Sequence, residues 1–310
     1  RRRRQSPSFN WSYDGLMISR RRFITGAFAI AGGGSALTTL AACSGGSSAT
    51  SSSMSTELQI VQRFPQVLVP GNVRIPVSLA NNNGLLSMDS GTELPATLTA
   101  NIVNAETGEI VVGPITAKRH DKGLSIPYYP FRADIDEVGI FSIVIDGGPT
   151  DGAGIQIMDP SQISIPLVGS ALPPFDTPTV DNNRGVNPIC TYLPAACSLH
   201  NITLTDALAL GKPIAYLVGT PAHCSTGTCS PALEALLQVS EKLADSMTFI
   251  HAEIYTDDTA TVVAPAVEAL NMTYEPALFI TDAQGIVVER LDAVFDADEI
   301  NEVLVTLGLQ

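Results

Sequence analysis

The hydrophobic period of this chain changes once, near Thr203, and that change limits what the chain can fold into. Between Glu57 and Met158, apolar residues alternate over short runs such as "VRIPVSLA", "ATLTANIVNA" and "GIFSIVIDG", separated by turn clusters such as "NNNG", "AETGE" and "DGGPTDG". Alternation with period two is the pattern of half-buried strands. About seven such runs predict an all-β, immunoglobulin-like sandwich over residues 57–158. From Thr203 onward, buried-strand runs ("PIAYLVG", "MTFIHAEIY", "ALFITD") alternate with helix-period segments ("TLTDALAL", "SPALEALLQVSEKLAD", "DADEINEVLVTLG"). The order β-α-β-α-β-β-α predicts a separate α/β domain over residues 202–310. Between the two, residues 159–201 are rich in proline, which disfavours helix and central strand alike, and read as a semi-rigid linker. Within the second domain, a helix bent at Pro265 is expected over "TATVVAPAVEALN", and Asp296 or Asp298 is expected to cap the last helix.

The N-terminus bears on compartment. Ser19-Arg20-Arg21-Arg22-Phe23 resembles the twin-arginine export signal, and Leu40-Ala41-Ala42-Cys43 resembles the bacterial lipobox. These imply a signal peptide over residues 17–42, a lipid-bearing Cys43 and a Ser/Gly-rich tether over residues 43–56. Residues 1–16 fit no part of such a signal and read as an over-called start. The expected location is the extracytoplasmic face of the cell membrane, held by lipid. Beyond residue 42 the chain has ten basic and thirty acidic residues, a net charge of −20, which repels nucleic acid. After Cys43 no apolar run is long enough to span a bilayer.

With Cys43 given to lipid, four cysteines remain, and an exported compartment permits disulfides among them. Cys190 and Cys197 in "NPICTYLPAACSLHN" read as a local structural disulfide. His200 follows closely, but the spacing matches no standard zinc pattern. Cys224 and Cys229 in "TPAHCSTGTCSPALEAL" sit where a strand ends and a helix begins, which favours a thiolate. Ser230-Pro231 reads as the helix start, with Ser225 to Thr228 a loop bent at Gly227. Three readings are open for this pair: a redox dithiol, a structural disulfide, or two metal ligands joined by His223. His251 reads as a packed core histidine, and His120-Asp121 as a solvated turn.

The stretch from Ile202 onward resembles the thioredoxin-like family, in particular exported TlpA-type proteins. "ALGKPIAYLVGTPAHC" is similar to their lead-in to the cysteine turn, "YEPALFI" to their proline segment, and Gly285 to their hairpin glycine. The resemblance implies a thiol–disulfide oxidoreductase acting on exported proteins or thiol–disulfide partners, with no cofactor. Cys224 would be the nucleophile and Cys229 the resolving thiol. Pro276, after a cis peptide bond, would face the reactive cysteine and shape the substrate groove. The C-x4-C spacing and the missing tryptophan depart from the family's W-C-x-x-C. The family's buried acid is also missing from "PIAYLVG". "AHCSTGTCSP" is loosely similar to the SCO copper-delivery proteins, which makes copper the alternative cofactor. A binding or assembly lipoprotein stapled by disulfides is the non-enzymatic alternative.

Overall fold

The computed structural model describes residues 58–309. The twin-arginine pattern, the lipobox with Cys43 and the tether lie outside the described residues. Among the described residues, no helix is long and apolar enough to cross a membrane.

The N-terminal half is two antiparallel four-stranded sheets over one core. In the first sheet, β2 (Gly71–Asn81) pairs with β1 (Gln59–Gln62), β3 (Gly84–Leu85) and β6 (Tyr129–Ile135). The second sheet has the order β5 (Ile110–Lys118), β4 (Thr97–Asn104), β7 (Gly139–Ile145), β8 (Ala153–Ile157). Val73, Ile75, Val77 and Leu79 of β2 meet Ile102, Phe141 and Ile143 of the second sheet in one apolar cluster. Alternation breaks down in β2, where every residue from Val73 to Ala80 is buried. Its second face is covered too, and that face carries the buried Arg74.

The C-terminal half is a mixed sheet of order β10 (Thr248–Ala252), β9 (Ile214–Val218), β11 (Ala277–Thr281), β12 (Val287–Asp292). The β9/β10 pair is parallel and the other two pairs are antiparallel. Ile214, Tyr216 and Val218 of β9 face α1 (Leu204–Ala209) and α3 (Pro265–Ala269). Ala215 and Leu217 face α2 (Cys229–Leu243) and α4 (Ala297–Thr306). Both faces are covered, so β9 is buried throughout, as its unbroken apolar run requires. This strand order and helix placement are those of a thioredoxin-like domain.

Several local readings need correction. α3 spans only Pro265–Ala269: the chain is extended at Ala264, and the helix starts at the proline instead of bending there. α2 starts at Cys229, one residue before the expected cap. Pro231 is still within the first turn, where a backbone N–H has no helical partner to lose. Residues 159–201 do not hang free. Val287 N–H donates to Ser170 O and Leu172 N–H to Gly285 O, and Thr177 Oγ1 lies 3.0 Å from the Tyr216 hydroxyl. His120 is buried, not solvated, and its Nδ1 lies 2.8 Å from Asp296 Oδ1.

Candidate active site: the Cys224–Cys229 turn

β9 ends at Val218, and the chain turns through Gly219 to Thr228 before α2. Gly227 takes a φ of +68°, which glycine adopts without a Cβ penalty, and its N–H donates to Cys224 O. The turn folds Cys224 back over the first residue of the helix. The two sulfurs lie 2.6 Å apart, with the Cys229 thiol directed at Cys224. Cys224 is partly exposed and Cys229 is 1% exposed.

The surroundings drive the two thiols apart electrostatically. The Cys229 hydrogen bond is the largest influence holding Cys224 down, at about 5. Partial burial opposes it, while the Thr226 hydroxyl and the N–H groups of Cys229 and Thr228 assist. Those N–H groups are free because they open a helix. Burial, then the neighbouring Cys224 and Glu275, push Cys229 far above the usual thiol range.

β9 brings no acid to the pair, but Glu275 stands beside it. Its Oε2 lies 3.5 Å from Cys229 Sγ and accepts from the Thr220 N–H at 3.1 Å. Burial, followed by the charge on Cys224, pushes its pKa up to about 7. The signal for it lay in the proline segment itself. The residue before a proline that faces the cysteines must stand beside them too, and here that residue is Glu275. The Glu275–Pro276 bond is cis. Pro276 is buried beside the turn: a Cβ placed on Gly219 would lie 3.4 Å from Pro276 Cβ and 3.6 Å from Cys229 Sγ.

Among the described residues, the donor atoms of Cys224, Cys229 and Glu275 lie within 4.8 Å of one another. His223 does not join them, and its ring stands edge-on to Tyr255 with centroids 6.0 Å apart. Cys190 and Cys197 are brought together as free thiols. They sit with His200 and His251 in a second buried group. His251 is packed in the core as expected, but it contacts sulfur on one side and the Gly219 carbonyl on the other. A cleft of about 690 Å³ lies elsewhere, where the two halves meet. Its Arg74, Arg132 and Arg290 are already paired with Glu299, Glu289 and Asp292.

No protein-family model matches the chain, and no curated protein matches it. Solved structures similar to it include a thiol:disulfide interchange protein from Bacteroides sp.. That similarity is at 15% identity and TM-score 0.33, covering 47% of this chain and 93% of that one. Another is a thiol:disulfide interchange protein of the thioredoxin family from Chlorobium tepidum TLS. It is 16% identical with TM-score 0.33, covering 46% of this chain and 99% of that one.

Proposed function

We propose that this chain is a thiol–disulfide oxidoreductase. One observation carries the reading: a partly exposed, low-pKa Cys224 lies 2.6 Å from a buried Cys229 that has a carboxylate of its own. In the reducing direction, the Cys224 thiolate attacks one sulfur of a substrate disulfide. The Cys224–substrate bond forms, the substrate S–S bond breaks, and the second substrate sulfur leaves as thiolate. Glu275 then takes the Cys229 proton. The Cys229 thiolate attacks Cys224 Sγ, closing the Cys224–Cys229 disulfide and releasing the first substrate sulfur. Two electrons pass from protein to substrate, and a second thiol–disulfide partner restores the dithiol. The oxidising direction is the same sequence reversed. Pro276 lines the turn and shapes where an extended substrate lies.

The export and lipobox patterns support an extracytoplasmic, membrane-tethered site of action. The N-terminal half, with two antiparallel sheets over one core, supports an immunoglobulin-like spacer or partner-binding module. The copper-delivery alternative is weaker: the third donor is the hard oxygen of Glu275 rather than an imidazole.

Trapping tests the proposal. Cys229→Ser, mixed with a disulfide-bonded peptide, is expected to accumulate a mixed disulfide that mass spectrometry maps to Cys224, while Cys224→Ser forms none. A Cys229→Ser protein that stays free of adduct at Cys224 contradicts it.

A further inference from the structure

The second cysteine group lies one strand end away from the dithiol. Cys190 and Cys197 flank a short loop, His200 follows, and His251 projects from β10. Cys190, Cys197, His200 and His251 are all at most 8% exposed. Cys190 Sγ and Cys197 Sγ each lie 3.6 Å from His251 Nδ1. His200 Nε2 lies 3.2 Å from that same nitrogen. All four donor atoms fall within 4.8 Å of one another.

The three distances to His251 Nδ1 match three of the six edges that a tetrahedral metal ion sets between its donors. Zinc bonds of about 2.3 Å to sulfur and about 2.0–2.1 Å to nitrogen place S and N donors about 3.5 Å apart and two N donors about 3.3 Å apart. The proton positions agree. His251 Nε2–H donates to Gly219 O at 3.0 Å, which fixes the tautomer and leaves the Nδ1 lone pair facing the two sulfurs and His200. The Cys197 N–H donates to Cys190 Sγ at 3.4 Å, the kind of contact that supports a ligating thiolate. Two thiolates buried side by side are costly unless a cation pairs them, and two of them balance one divalent charge.

We infer that Cys190, Cys197, His200 and His251 form a tetrahedral zinc site. The site ties the 190–197 loop to β10. Within that loop, Thr191 donates to Glu253 through its N–H (2.6 Å) and its hydroxyl (2.7 Å), and its Oγ1 accepts from the Ala222 N–H at 3.1 Å. The metal therefore anchors the chain that holds the segment leading into Cys224. This assignment does not depend on the redox reading of the other pair.

The test uses the reduced full chain, stripped of metal by a chelator, titrated with cobalt(II) and then zinc(II). One equivalent of cobalt is expected to give the intense visible bands of a tetrahedral thiolate site, displaced by one equivalent of zinc. The double variant Cys224→Ser, Cys229→Ser should keep these bands, and His251→Ala should lose them. If His251→Ala does not fold, the wild-type spectrum and the double variant decide between the two cysteine groups. Three results overturn the assignment: no tetrahedral bands; bands lost in the double variant; or a Cys190–Cys197 disulfide and no zinc in protein isolated without chelator or oxidant.

Discussion

At Glu275 proton transfer and burial meet in one side chain. Its Oε2 is 3.5 Å from Cys229 Sγ, and burial raises its pKa to about 7, so it can accept a proton near neutral pH. Glu275→Gln is expected to slow release of the mixed disulfide roughly 10²-fold or more, the scale of lost general-base help. Peptide-resolved alkylation of Cys224 should keep its midpoint near pH 5 in that variant, because Glu275 is not what lowers Cys224. Equal slowing of both steps contradicts the assignment. Stability adds a second readout. A carboxyl raised from its ordinary value to about 7 stabilises fully below the ordinary value, and the contribution is lost as pH rises through 7. Reduced Glu275→Gln should therefore melt higher than wild type above pH 7 and show no gain near pH 4. That Cys224, Cys229 and Pro276 come together was legible in the sequence because spacing and a known pattern mark them. Glu275 was not, because it lies outside the strand that carries the family's acid, and only the fold brings the residue before Pro276 to the pair. His251 was missed because a histidine in an apolar strand looks the same in sequence whether it fills space or faces sulfur.

Among the elements, α4 shows how one cap can serve two halves. Asp296 is its N-cap, accepting from the Glu299 N–H at 2.9 Å, and the same oxygen meets His120 Nδ1. Burial alone would lower His120, but the hydrogen bond and charge of Asp296 outweigh it and raise its pKa. Asp296→Ala removes both contacts. It should cost more than the about 1 kcal/mol of an ordinary cap in urea denaturation, and it should move the His120 titration downward by NMR. A loss no larger than that of an exposed cap, with His120 unmoved, contradicts the shared role. The order of strands and helices was legible because the period changes from two to 3.6 where the domain changes. The prolines of residues 159–201 misled because proline forbids helix and central strand but not a strap paired to the turn that opens β12.

Across the whole molecule, the halves meet through Arg74. Its Nε and Nη2 bind Glu299 at 2.6 and 2.7 Å, and its remaining donors reach the carbonyls of Asp292 and Val294. No local pattern announces a pair 225 residues apart; an arginine inside an alternating strand was the only trace. Arg74→Ala leaves Glu299 buried without its cation, though still bonded by the Tyr128 hydroxyl, and should cost about 3–5 kcal/mol, whereas Arg74→Met with Glu299→Met should cost much less. Similar losses in the two variants contradict the ion pair as the source. The reduction potential of the Cys224–Cys229 pair decides whether it works as an oxidoreductase. Equilibrating the protein in glutathione buffers and reading the Cys224–Cys229 peptide by mass should give a value within about −120 to −270 mV, the range of working oxidoreductases. A pair that stays oxidised below about −300 mV, or that never closes, is not a working redox dithiol.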